Sequence, residues 1–396
     1  MSSPVLSLTE YLKDNNVKLA RYILLSGLLL IASPYVGAQE LLRYKGQLSA
    51  YTHLNLDNEY PWWNGLRYIP QLNLELPAGE RRLIDFEASA NLYGNIGMSS
   101  LNDYSGDGRI KPYRLWARYS GSQFELRAGL QKINFGSASI LRPLMWFDQM
   151  DPRDPLQLTD GVWGLLGRYY FLNNANLWLW VLHGNHDPKG WEQLGTHRSL
   201  PEVGGRLQYP VGSGEAALTY HYRVADGSAL AEQLLPAESI PEHRFGFDAK
   251  FDRVVGYWVE ASWTHMKRDV GIMTNQQILN LGVDYTFGWG NGLTLTWEQL
   301  LAAFDEQPFR FQEPFTFSLL SARYPVGLFD EVSLIAYYDW RNRSSYNFIN
   351  WQRQFNRLTL HLMGYINPKN YNIPTQQGGG NMFAGTGLQL MLVYNH

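Results

Sequence analysis

From Leu42 onward, apolar and polar residues alternate one by one. Leu42, Tyr44, Gly46, Leu48, Ala50, Leu54 and Leu56 fall on one face, and Arg43, Lys45, Gln47, Ser49, His53 and Asn55 on the other. The same period of two returns at Leu66–Leu76, Ile84–Leu92, Phe124–Leu130, Val255–Trp263 and Leu388–Tyr394. Successive side chains of a strand point to opposite faces, so this pattern predicts strands with one apolar and one polar face. The first run lasts about fifteen residues, well beyond the five or six of an ordinary soluble strand. Long alternating strands separated by turns predict an all-β, antiparallel up-and-down transmembrane β-barrel. Segment counting gives about 18 strands, or 16 if the segments 314–324 and 346–355 do not pair. In the first of these the apolar parity slips at Leu319-Leu320.

The linkers give a second argument. Those after even-numbered strands are tight, for example 77–82, 120–122, 211–214, 252–254 and 288–292. Those after odd-numbered strands read as long, near 94–109, 136–161, 184–201, 225–241, 266–275, 302–313 and 367–382. Short turns at one end and long loops at the other are expected of a barrel with both termini in the periplasm. Strands that run toward the short turns end in outward aromatics: Tyr119, Tyr169, Phe171, Tyr209, Phe251, Tyr285, Phe287 and Tyr324. Such rings suit a membrane–water boundary, with one apolar side and one wet end.

At the N-terminus, Lys13, Lys18 and Arg21 precede the apolar run Tyr22–Ala32, and Val36-Gly37-Ala38 has small-residue cleavage character. This predicts a signal peptide over 1–38 and a mature barrel over 39–396. The run is too short to span a bilayer as a helix. The absence of cysteine rules out disulfides and thiolate chemistry. A net charge of −3 gives no global field for nucleic acid.

The segment GLQKINFG (129–136), followed by RPLMWFDQMDPRDP (142–155), resembles a stretch in alginate-export-like outer-membrane barrels. In those, a strand ending Gly-Arg-Gln-x-Ile-x-Trp-Gly leads into a loop rich in Asp-Pro. Leu130 and Phe135 depart from that pattern. The final strand, GTGLQLMLVY (385–394), resembles the C-terminal assembly signal of such barrels. The resemblance implies a Gram-negative outer-membrane channel of the porin type. Its partners would be outer-membrane lipid and lipopolysaccharide, the barrel-assembly machinery, small hydrophilic solutes and further copies of itself.

In a barrel of this size the polar face lines a lumen. By parity, Arg114, Arg118, Arg127, Arg168, Arg206, Arg223 and Arg244 point inward between the fourth and tenth strands. Glu260, Asp284 and Glu298 point inward on the eleventh to thirteenth. Opposite charge on opposite walls makes a transverse field that selects solutes. Trp116, Tyr170, Trp178, Trp180 and Trp258 are inward aromatics, either stacking platforms for sugar-like solutes or packing beneath an infolded loop. The longest linker, 136–161, carries Asp148, Asp151 and Asp154 between prolines that hold the preceding residue extended. It reads as a constriction loop whose aspartates face or pair with the arginine wall. The D-x-x-D-x-x-D spacing does not match a calcium loop.

No HExxH, His-x-His or G-x-S-x-G pattern occurs, so no catalytic, metal or cofactor site is expected. The functional expectation is a channel for diffusion or export of small hydrophilic solutes, anionic or sugar-like. The alternative is a plugged barrel that binds at the surface, aids assembly or acts as an enzyme.

Overall fold

A computed structural model describes residues 41–228, 239–369 and 382–396. The expected signal peptide lies outside these residues. Eighteen antiparallel strands form one closed sheet in chain order, each paired with the next. They are β1 (Leu42–Asn55), β2 (Trp62–Pro77), β3 (Leu83–Ser100), β4 (Asp103–Ser120), β5 (Phe124–Gln131) and β6 (Val162–Tyr170). Then come β7 (Asn176–Leu182), β8 (Glu202–Val211), β9 (Gly214–Asp226), β10 (Ser239–Asp252), β11 (Gly256–Met266) and β12 (Asn275–Phe287). The last are β13 (Leu293–Asp305), β14 (Phe315–Pro325), β15 (Asp330–Asp339), β16 (Ser344–Gln354), β17 (Leu358–Ile366) and β18 (Thr386–Asn395). The circle closes where β1 meets β18, from Gln47↔Asn395 to Asn55↔Gly387.

Burial is inverted relative to a soluble protein. The outward face is exposed and apolar, with Leu66 57%, Leu179 58%, Leu218 64% and Leu388 55% accessible. A contiguous apolar band of this kind needs lipid against it. The outward aromatics pair at one end of the strands, with ring centroids 4.9 Å apart for Tyr169–Phe171 and 4.7 Å for Tyr285–Phe287. Buried arginines and acids lie inside.

The tight linkers are where the alternation predicts them, among them 121–123, 212–213 and 253–255. At the other end one expectation fails. Residues 94–109 do not form a loop, because β3 and β4 continue through them to a turn at 101–102. Cross-strand pairs such as Gly94↔Gly108 carry the ladder through. The parity slip in β14 has a physical cause. Leu319 is buried inside at 1% exposure while Leu320 faces outward at 45%, because the lumen is apolar at that height.

Candidate functional site

The segment 132–161, between β5 and β6, folds into the barrel and touches most of its circumference. Its first part packs Ile133, Phe135, Leu144, Trp146 and Phe147 against Val162, Leu166, Trp180 and Leu182 on β6 and β7. Leu141 and Met145, with Trp191 from the β7–β8 loop, pack against Ile278, Leu300, Phe317 and Leu319 on the facing wall. The returning part is held from β4, where Arg114 Nη2 donates to Thr159 O at 2.9 Å.

Between these packed regions two buried carboxylates hold the backbone. Glu298 on β13 accepts the amides of Ser139, Ile140 and Leu141 at 2.7, 3.1 and 2.6 Å. Glu260 on β11 accepts those of Ala138 and Leu144 at 2.8 and 2.6 Å. Both side chains are at 0% exposure. Gly136, which ends the GLQKINFG stretch, has φ +108°, and a Cβ there would lie 2.4 Å from Glu260 Oε2. Glu260 and Glu298 are therefore loop anchors, not the water-facing selectivity charges expected of them. The loop amides need acceptors once they leave water, and a carboxylate offers several.

The β7–β8 loop (183–201) reinforces the first. Gly190 adopts φ +52° where its missing Cβ would overlap Met145 O, so the two backbones touch. Trp191 Nε1 donates to Arg142 O at 2.9 Å. Gln149 Nε2 donates to Pro188 O at 2.8 Å.

The three aspartates do not pair with the arginine wall as expected. Asp148 binds Arg142 of its own loop at 3.0 Å, both buried. Asp151 binds Arg153 at 2.5 Å. Asp154 accepts the Leu156 amide at 2.9 Å. Local partners win because a short turn brings them together at little entropic cost, whereas the wall arginines are already engaged. Burial raises the Asp154 carboxyl above the usual carboxylate range, against the opposing pull of the Leu156 amide and Arg67.

The seven arginines do point inward, but acids on the same wall neutralise most of them. Arg206 pairs with Asp248 at 2.5 Å, and Arg223 and Arg244 each bind Glu242 at 2.7 Å. Glu192, from the infolded β7–β8 loop, closes that pair from above at 3.1 and 2.7 Å. These three arginines are at most 3% exposed, so the reading of them as selectivity charges is corrected. Buried charge requires a paired, hydrogen-bonded partner, and here each has one. Arg118, Arg127 and Arg168 are different. All three converge on Glu125 at 3.3–3.5 Å, Arg118 also holds Asp85 at 2.6 Å, and their side chains remain 28, 14 and 17% exposed. Asp284 lies inward on β12 with no ion pair or hydrogen bond among the described residues. Glu125, Glu192, Glu202, Glu242, Asp248 and Arg142 were missed in the sequence. Glu125-x-Arg127 and Glu242-x-Arg244 share a strand face, so parity alone could have revealed those pairs.

The inward aromatics divide. Trp180 is 2% exposed, stacks on Phe135 of the loop at 5.8 Å and donates to buried His221 at 3.2 Å. Trp258, 3% exposed, donates to Asn280 at 3.2 Å. Neither is a free stacking platform; both are packed where the lumen is filled. Trp116 and Trp178 instead lie beneath Arg127 and Arg168, with guanidinium carbons 4.8 and 3.8 Å from the ring centroids. Tyr170 is 39% exposed at the end of β6.

No protein-family model and no curated protein matches this chain. Solved structures do. Acinetobacter baumannii OccAB2 superposes with a TM-score of 0.55 at 10% identity, covering 91% of this chain and 99% of that one. Pseudomonas aeruginosa OccK5 gives 0.53 at 12% identity, with 90% and 98% covered. Salmonella typhi OmpF, in complex with daunomycin, gives 0.50 at 11% identity, with 90% and 97% covered. At such identities the likeness is one of architecture, and the architecture is that of the Gram-negative outer-membrane porins.

Proposed function

We propose that the chain is an outer-membrane channel that passes small hydrophilic solutes and makes or breaks no bond. Its termini and short turns would face the periplasm, and a signal peptide over 1–38 would export it. Support comes from the closed barrel, its apolar outer belt and its likeness to porins over nine-tenths of the chain. One observation carries the selectivity: three partly exposed arginines, Arg118, Arg127 and Arg168, meet at a single glutamate on one wall. An excess of positive charge inside low-dielectric walls draws anionic groups toward that side. Cation–π contact with Trp116 and Trp178 helps hold the Arg127 and Arg168 guanidinium groups in place.

Purified protein in planar bilayers should give defined current steps. Arg118→Glu, Arg127→Glu and Arg168→Glu together should move reversal potential toward cation selectivity; unchanged selectivity defeats the assignment of these residues. The burial of 132–161 and 183–201 inside the barrel favours one rival, a plugged barrel. That rival predicts silence from the intact protein and current only after residues 136–161 are shortened.

A further inference from the structure

Turn-side of the loop lies a cavity of about 410 Å³ bounded by β12–β17 on one side and by Ser139–Ile140 and Met150–Gln157 on the other. Its floor is a cross-strand row in register, Thr294↔Arg323↔Ser333↔Asn350. Asp284 and Glu331 face it from β12 and β15, and neither has an ion pair or hydrogen bond among the described residues. Asp154 closes the loop side. Arg153, also in the lining, is taken up by Asp151, so three carboxylates stand against one unpaired guanidinium, Arg323.

A second observation points the same way. His361 is 6% exposed and lines the cavity, yet its Nδ1 has no partner. Asn350 Oδ1 is likewise buried without a donor. Buried polar atoms are almost always satisfied by protein, water or ligand, so these mark a place where something polar sits. With Asn350 Oδ1 and the two carboxylates, the unmet demand is for donors. The lining offers amide donors on Gln157, Asn350 and Gln352 and several hydroxyls, but Arg323 is its one cation not already taken up by a carboxylate among the described residues. The remaining wall is apolar, formed by Ile335, Phe348 and Met363.

We propose that this cavity is a binding station for a small alkylammonium group. The ammonium would bind at Glu331, with Asn350 Oδ1 and His361 Nδ1 on the next two strands as further acceptors, and its carbon chain would lie toward Phe348 and Met363. An ammonium supplies three N–H donors and the positive charge that the carboxylates lack. The methylenes gain from the apolar wall, at roughly 0.8 kcal/mol per buried CH₂. The proposal deepens the channel reading and rests on it: the station would hold one end of a passing solute while the arginine cluster attracts anionic groups across the lumen.

The test uses the whole protein in detergent micelles, its barrel checked by gel mobility before and after boiling. n-Butylammonium chloride, n-butanol and sodium butyrate are titrated separately, and binding is followed by broadening of their proton resonances. Butylammonium should saturate, while butanol and butyrate should not. The variant Glu331→Gln should weaken butylammonium binding at least ten-fold. Phe348→Leu should weaken it less. Equal binding of butanol or butyrate, or an unaffected Glu331→Gln variant, overturns the proposal. Current steps measured in parallel separate the two readings: binding without steps defeats the channel alone, and steps without binding defeat the station alone.

Discussion

Replacing Glu298 by glutamine tests how the infolded loop is held. One carboxylate oxygen accepts from Ser139 and Ile140 at 2.7 and 3.1 Å, and the other from Leu141 at 2.6 Å. A glutamine of the same shape keeps a single carbonyl oxygen and turns an NH₂ group toward one of these amides. Hydrogen bonds to a charged acceptor contribute about 1.5–3 kcal/mol each, and a stranded buried donor costs about 1–3 kcal/mol. Losing one such bond, neutralising the others and stranding one N–H costs about 3–5 kcal/mol. The cost falls on the segment and not on the barrel, since no strand ladder changes. It would multiply local opening by roughly 10²–10³, at tenfold per 1.4 kcal/mol. Hydrogen–deuterium exchange in micelles reads this directly. Peptides within 136–147 should exchange about a hundredfold faster in the variant, while strand peptides stay unchanged. Exchange within tenfold of the unmodified protein would show that apolar packing, not the carboxylate, holds the loop.

Two further outcomes follow from the buried charges. Arg206→Ala strands Asp248, which is 2% exposed and loses bonds of 2.5 and 2.9 Å. Removing one partner of a buried pair costs about 3–5 kcal/mol, so heat-induced gel-mobility conversion should begin at lower temperature. Arg206→Ala/Asp248→Ala should recover much of that loss; a double variant as weak as the single would show the pair is not coupled. Asp154 gives a pH dependence. Its carboxyl is raised by burial, so it gains a proton on acidification before ordinary carboxylates do. A raised folded-state pKa also means that stabilisation from this group is present at low pH and fades as pH rises through it. On acidification the current should therefore shift further toward anions, beginning above the usual carboxylate range, and Asp154→Asn should remove that leg of the titration.

The barrel was legible because lipid and lumen impose opposite demands on alternate residues, and nothing else produces that alternation over long strands. The eighteen strands, the tight linkers and the inward direction of the arginines all follow from that one parity. What was not legible arises where the lumen stops being watery. Leu319 broke the pattern because Leu141, Met145 and Trp191 make an apolar interior at its height. Parity reports which way a side chain points but not what fills the space it enters. Glu260 and Glu298 thus looked like selectivity charges while binding backbone amides, and of the two readings open for Trp180 the packing beneath an infolded loop is the one that holds, under Phe135. The aspartates misled for a related reason: their partners, Arg142 and Arg153, lie on the same loop, and strand-face parity says nothing about a loop's own folding.

The seam between β1 and β18 also sets an order of events. Gln47 meets Asn395 across a sequence separation of 348, whereas every other neighbouring pair joins consecutive strands. Consecutive hairpins can zip as soon as both strands exist, but the seam must wait for β18. Until then β1 and β18's future neighbour β17 each present an open row of backbone donors and acceptors, which hydrocarbon cannot satisfy. A chain shortened before Thr386 should stall as an unsealed sheet, captive to whatever caps its edges, while one that reaches His396 can let go.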